Sequence, residues 1–454
     1  MSSEPTNQPP GAAVVRRSRV GGAFMWRALS HKNYRLFFSG QGISLIGTWM
    51  TRIATSWLVY RLSGSALLLG VVGFAGQIPS FLLAPFAGVL VDRWNRHRLL
   101  IATQVLALLQ SLALAILALT GLIRIWHIIA LSVFQGLINA FDMPARQVFV
   151  VEMVDRREDL ANAIALNSSL VNAGRLLGPA IGGVVIAAVG EGWCFMIDAI
   201  SYLAVIASLL AMTITSRMVG ATSDANIFQQ LREGWTYAAR FAPIRNVLLL
   251  LGLVSLVGVP YTVLMPVFVR EFLHGGPNTL GLLMAASGVG ALVGALFLAA
   301  RKSVLGLGKF IPLAAAAFGG GLIVFSFTRV IWLSFPLMVI TGLGFMVQMA
   351  ASNTVLQTIV EEDKRGRVMS FYTMAFMGTA PFGSLLAGSL AERIGAPHTL
   401  LFGGLGCILG AIWFATTLSA LRRDVVPIYV RIGILPEMAA AIHHTSELSV
   451  PPEG

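Results

Sequence analysis

Three charged side chains stand where charge is least expected. Arg52, Arg175 and Asp198 each lie inside a long apolar run, in a 454-residue chain that is 56% hydrophobic and 11% charged. An ionised group in a low-dielectric interior is expensive, so each position is a functional hypothesis. Asp198 is the one carboxylate well inside such a run, and a buried carboxyl beside a cation can take up and release a proton. Arg175 or Arg52 is the expected cation. A static Asp–Arg pair that tethers two helices explains the same residues, and the sequence leaves both readings open.

Other reactive residue types form no constellation. Cys194 and Cys407 lie in apolar runs more than two hundred residues apart and read as small buried hydrophobes, with no disulfide framework implied. His127 and His274 stand alone near the ends of apolar runs. His443 and His444 have no Cys or further His beside them, so no metal or other cofactor is expected. Gly306-Leu-Gly308-Lys309-Phe310 lacks the spacing of a phosphate loop. Nothing here points to an enzyme.

The elements that must position these charges are helices. Soluble domains carry roughly 25% charged residues, and a chain this poor in charge cannot cover a soluble surface. A lipid bilayer removes that requirement. A spanning helix needs about 20 mainly apolar residues, and such runs occur near 36–60, 66–91, 99–120, 126–147, 162–189, 193–215, 245–270, 279–300, 310–329, 332–356, 367–390 and 397–420. The expectation is an all-α integral membrane protein with twelve transmembrane helices in two pseudo-symmetric six-helix bundles. Its parts would be a disordered arm (1–30), a first bundle (31–215), a linker (216–244), a second bundle (245–420) and a tail (421–454).

The formal charge of +12 invites a nucleic-acid partner. Its distribution removes that reading. Of the 32 Lys and Arg, 25 fall in the arm, the tail and alternate loops, five in the opposite loops (Arg61, Arg124, Arg270, Arg329, Arg393), and two within spans. That asymmetry is the positive-inside rule and places both termini in the cytoplasm. Within the linker, Ile227, Phe228, Leu231, Trp235, Ala238 and Ala242 recur at helical spacing opposite Gln229, Gln230, Arg232, Glu233 and Arg240. The pattern predicts a basic amphipathic helix on the membrane face, or a solvated linker helix. The halves also look related: Asp159 precedes Pro179 by twenty residues, as Glu361 precedes Pro381. Each leads into a Gly-rich span, as in parallel repeats about the membrane normal.

Between spans 2 and 3 the chain reads Gly88-Val-Leu-Val-Asp92-Arg93-Trp-Asn95-Arg96-His97-Arg98. This resembles the signature loop of the major facilitator superfamily, with Asn95 and His97 in place of Gly and a basic residue. Asn accepts a left-handed turn better than most residues. An acid here can meet the positive end of another helix, and the resemblance implies a conformational latch built from Gly88, Asp92, Arg93 and Arg96. By the same resemblance Asp142, in Asp142-Met-Pro-Ala-Arg146, would meet Arg96, although its spacing also allows a local pair with Arg146. In span 5, Gly174-Arg-Leu-Leu-Gly178-Pro179-Ala-Ile-Gly182-Gly183 is similar in full to the pattern marking the antiporters of that superfamily. Small residues four apart let a neighbour approach, and Pro179 bends the helix. Drug-exporting members usually carry an Arg four residues before a Gly in span 4. Here Ser132 stands four before Gly136, which puts the usual coupling route in doubt.

Polar and aromatic residues scattered through the spans complete a candidate cavity: Gln41, Trp49 and Trp57 in span 1, Gln77 in span 2, and Asn139 in span 4. Asn167 and Asn172 lie in span 5, Tyr261 in span 7, Gln348 and Asn353 in span 10, and Tyr372 in span 11. Each fits interhelical packing as well as ligand contact; together they suit an amphipathic organic molecule. Leu-Ser-Gly-Ser after span 1, Asp-x-Pro-Ala-Arg in span 4 and Arg-Gly-Arg-Val-Met-Ser before span 11 resemble the bacterial branch that holds enterobactin exporters and multidrug-efflux carriers. The resemblance implies a monomeric, proton-coupled antiporter of the bacterial inner membrane exporting a drug-like or siderophore-like molecule. A facilitator or importer on the same fold is the alternative. A non-transporting receptor would leave the intramembrane charges without a purpose.

Overall fold

The computed structural model describes residues 26–435, apart from 155, 214–226, 302 and 433. Every regular element among the described residues is helical. The first half comprises α1 (Lys32–Ser63), α2 (Ala66–Arg93), α3 (Arg96–Leu119), α4 (Ile125–Glu152), α5 (Leu160–Val189) and α6 (Glu191–Leu210). The linker helix α7 (Ile227–Arg240) follows. The second half comprises α8 (Ala242–Leu253) continuing into α9 (Tyr261–Glu271), α10 (Pro277–Ala299), α11 (Leu307–Phe327), α12 (Ile331–Ile359), α13 (Glu362–Thr373) continuing into α14 (Ala380–Ile394), and α15 (Ala396–Arg431). Short π turns at Val254–Gly258 and Met374–Gly378 join α8 to α9 and α13 to α14.

Counting each joined pair once gives twelve membrane-length units. Eleven are apolar enough to cross a bilayer on composition alone. The twelfth is α1, whose buried face carries Gln41 and Ser44 and whose inner turns carry Arg52. A helix that lines an interior need not be apolar on every side.

Helix pairing repeats between the halves. α2 packs on α4 as α10 packs on α12, and α3 packs on α6 as α11 packs on α15. Two further seams, α5 with α10 and α2 with α14, join one half to the other. The two-bundle expectation therefore holds in pairing as well as in number.

The edges differ from expectation. Residues 26–30 are not free: Arg27–Ser30 form a short turn, the Ala28 N–H donates to Asn162 Oδ1 at 3.0 Å, and Arg27 Nε lies 3.2 Å from Asp159 Oδ1. A buried acid on α5's approach anchors the arm; residues 1–25 lie outside the described residues. Span 6 ends at Leu210, and α15 runs on to Arg431, past the expected tail boundary. Its last turns need no apolar sequence because intrahelical bonds, unlike membrane burial, are indifferent to polarity. The linker helix forms as expected. Its Gly234 abuts Phe371 and Arg367 of α13, Ala238 is buried, and Trp235 meets the Phe371 ring edge-on at 5.9 Å. It is thus docked on the second half. Nearby, Lys364 lies 4.7 Å over the Tyr237 ring, and its hydrogen bond to Glu361 holds that carboxyl below the usual range.

Candidate functional site

Trp49 and Arg52 project from one face of α1, three residues apart, and the guanidinium stands 4.5 Å over the indole. Arg175 reaches from α5 into the other half and lies 5.4 Å over the Phe345 ring of α12. Tyr261, at the start of α9, is in the field of Arg175, and its hydroxyl meets Ser287 Oγ of α10 at 2.8 Å. Arg52 feels the charge of Arg175 in turn. Arg52, although it stands on a membrane-spanning helix, keeps an exposed surface. Among the described residues neither arginine has a hydrogen bond or an ion pair.

Asp198 is not their partner. Its Oδ2 accepts from Thr51 Oγ1 of α1 at 2.9 Å and from Ser111 Oγ of α3 at 2.8 Å. Its Oδ1 rests against Gly47 with no hydrogen bond. The expected Asp–Arg contact fails for a geometric reason: Thr51 and Arg52 are about 100° apart around α1. The acid therefore sees the hydroxyl face of α1 while Arg52 projects from a different face. Asp198 stays a buried carboxylate, 1% exposed, held by groups that can accept as well as donate a hydrogen bond.

The span 5 motif serves two interfaces. A Cβ on Gly178 would lie 2.5 Å from Trp49 Cβ, and one on Gly182 would lie 2.9 Å from Met50 Cγ. Gly174 likewise abuts Leu45 and Trp49. These three glycines let α1 close onto α5 and set Trp49 beneath Arg52. Gly183 faces the other half, where its Cβ would meet the Pro277 carbonyl at 2.6 Å. The Pro179 carbonyl in turn stands 2.3 Å from where a Gly281 Cβ would be. The second seam mirrors this, with Gly70 on α2 against Ser384 and Gly388 on α14.

Both seams lie toward the end remote from the arginine-rich loops. Polar contacts between the halves cluster there as well. Glu392 Oε2 of α14 accepts from Ser65 Oγ and from the Leu67 N–H, each at 3.1 Å, and so caps α2 from the other half. The Tyr60 hydroxyl donates to Glu271 of α9 across the junction, and within the first half Arg61 Nε bonds Glu191 at 2.8 Å. Toward the arginine-rich end, Ile164, Ala165, Ser168, Ser169, Val171 and Ala173 of α5 are exposed.

The latch residues are only partly placed. Gly88 and Asp92 lie in the last turns of α2, with their side-chain surroundings outside the described residues; Arg93 is exposed. Arg96 bonds Glu152 at 2.5 Å, where Asp142 was expected. Asp142 takes Arg146 as its partner instead, four residues along its own helix. Thr103 Oγ1 and Gln104 Nε2 also donate to it, at 2.9 and 2.7 Å. Pro144 does not prevent this local pair, and a carboxylate already holding three donors has little left for Arg96.

The polar cavity candidates divide. Trp49 and Tyr261 join the arginine pair. Asn353 and Tyr372 meet each other, and Tyr372 also donates to the Met349 carbonyl at 3.1 Å. Asn139 accepts from Gln135 and Asn172 donates to the Ser168 carbonyl, both within their own helices. Gln77 is exposed and bonds the Gly73 carbonyl. Gln41 and Gln348 are buried, with amide atoms that lack a partner. Sequence reasoning missed Phe345, Ser287, Ser111 and the acids Glu191, Glu271 and Glu392. A signal existed for the acids: all three stand beside the arginine-poor loops.

Residues 23–427 match the transmembrane secretion effector family. The staphyloferrin A transporter of Staphylococcus aureus is 27% identical over 86% of this chain and 98% of its own length. The multidrug efflux pump Tap of Mycolicibacterium fortuitum is 28% identical over 78% and 88%. Among solved structures, a bacterial homologue of the human lysosomal transporter Spinster superposes with a TM-score of 0.65 at 14% identity, covering 89% of this chain and 99% of the other. The nucleoside transporter NupG gives 0.67 at 11% identity, covering 85% and 99%. At such identities the structures speak to the fold alone. The chain belongs to the transmembrane secretion effector family and is a multi-pass membrane transporter of the major facilitator superfamily.

Proposed function

We propose that the protein is a proton-coupled antiporter that exports an amphipathic small molecule from the bacterial cytoplasm by alternating access. The observation that carries this is where the halves meet: two glycine-lined seams close one end, and the arginine pair lies at the junction behind them. With the arginine-rich loops in the cytoplasm, the closed end is the outer one. Rocking about the seams would then expose the junction to each side in turn. Efflux relatives and the complete span 5 motif support export as the direction.

Asp198 is the proposed proton carrier. It is buried in the spans, has no basic partner among the described residues, and its hydroxyl neighbours suit either protonation state. A drop in cellular accumulation across a compound panel, with against without the gene, identifies a cargo. In proteoliposomes with an imposed pH gradient, wild type then concentrates that cargo and Asp198→Asn does not. Uphill flux unchanged by Asp198→Asn refutes the assignment. Asp198 makes no direct pair with either arginine among the described residues, which favours a second reading, an uncoupled facilitator. Flux that follows the cargo gradient whatever the pH gradient selects it.

A further inference from the structure

Two cations that repel one another, with no acid paired to either among the described residues, make a costly arrangement in a membrane interior. A charge held in such an interior without a counter-charge destabilises a protein, and a cation–π contact recovers only part of that. Arg52 and Arg175 have those contacts, with Trp49 and Phe345. The intramembrane acid, Asp198, meets a different face of α1 and is held by Thr51 and Ser111. Tyr261 and Ser287 spend their hydroxyls on each other. An anion that enters between the halves can supply the compensation missing among the described residues.

We infer that Arg52 and Arg175 form the binding site for the carboxylate of an amphipathic cargo, with Trp49 and Phe345 as flat walls for its apolar part. Guanidinium groups match carboxylates in shape and donate in pairs. The two arginines come from α1 and α5 of one half, while Phe345 comes from the other half. A bound anion would therefore touch both sides of the junction whose opening alternates. A cationic cargo would meet two like charges and no acid, so the pair selects as well as binds.

The inference rests on the junction being the transport path, but its test reads binding alone. Purified protein in phosphatidylcholine nanodiscs is titrated with 1-naphthoate and with 1-naphthylmethylammonium, which share rings and differ in the sign of charge. Equilibrium dialysis reports each affinity against empty nanodiscs. Wild type is expected to bind the carboxylate at least tenfold more tightly. Arg52→Gln and Arg175→Gln should each weaken that binding about tenfold, and Arg52→Lys and Arg175→Lys should restore part of it.

Equal affinities, preference for the ammonium, or no binding of either probe by wild type overturns the inference without reference to any variant. Unchanged carboxylate binding in both glutamine variants overturns it as well. A third arm substitutes phosphatidylglycerol for part of the lipid. Loss of 1-naphthoate binding there would mark the pair as a lipid-headgroup site and not a cargo site. A carrier that binds 1-naphthoate but drives no flux defeats the transport proposal and leaves the site standing. One that exports its cargo yet fails to discriminate the probes defeats this inference alone.

Discussion

Replacing Gly281 by alanine places a methyl carbon 2.3 Å from the Pro179 carbonyl oxygen and 2.9 Å from the Gly183 Cα. Relaxed contacts need about 3.5 Å, so α10 and α5 must part by roughly 1.2 Å along that line. Neither neighbour can yield cheaply, because both obstructing atoms are backbone within a helix. Overpacking of this kind costs about 1–3 kcal/mol. The seam exists only while this end is closed, so the whole penalty falls on one conformation. A bias of that size changes the ratio of two states by about 5- to 150-fold.

Spin labels at Leu122→Cys and Val330→Cys, exposed residues at that end on opposite halves, report the change as a distance distribution. Cys194 and Cys407, both buried, are first replaced by serine. The Gly281→Ala protein should gain a longer-distance population. Gly320→Ala, whose new methyl meets nothing within 4 Å, should match wild type. A Gly281→Ala distribution identical to wild type, or an equal shift in Gly320→Ala, would refute the argument that these seams hold the end closed.

Glu392→Ala removes the acceptor shared by Ser65 and the Leu67 N–H; loss of a helix cap is worth about 1 kcal/mol. It should move the same distance distribution in the same direction by a few-fold, and a shift toward shorter distances would contradict the cap's role. Tyr60→Phe, which removes the donor to Glu271, should add to that shift; no additional change would show that this contact does not hold the end closed. Glu152→Ala strips Arg96 of a 2.5 Å partner and should lower stability by about 2 kcal/mol, read from thermal unfolding in detergent. A midpoint equal to wild type would show the pair to be incidental.

Much of the fold was legible because membrane burial writes itself into local composition. Each span requires its own apolar run, so order, number and which loops share a side follow from short windows. α1 is the instructive exception, since its polar turns lower its hydropathy through the same feature that gives it an interior face. The π turns left no such trace: an extra residue in a helical turn alters no polarity period over so short a stretch. The continuation of α15 to Arg431 escaped for the opposite reason, being helix without membrane.

Partnership was the part composition could not supply. Arg52, Arg175 and Asp198 were conspicuous in the chain, and placing them near one another made an ion pair the natural expectation. The tertiary structure gave the acid to Thr51 and Ser111 and left the arginines to Trp49 and Phe345. Asp198 and Ser111 are 87 positions apart, and the rotation of α1 decides which of its faces meets α6. The sequence by itself determined the number of spans, their order and which loops share a side, because burial in lipid is a property of each segment alone. Only the tertiary structure decided which charges are paired, because that depends on how helices distant in the chain are turned toward one another.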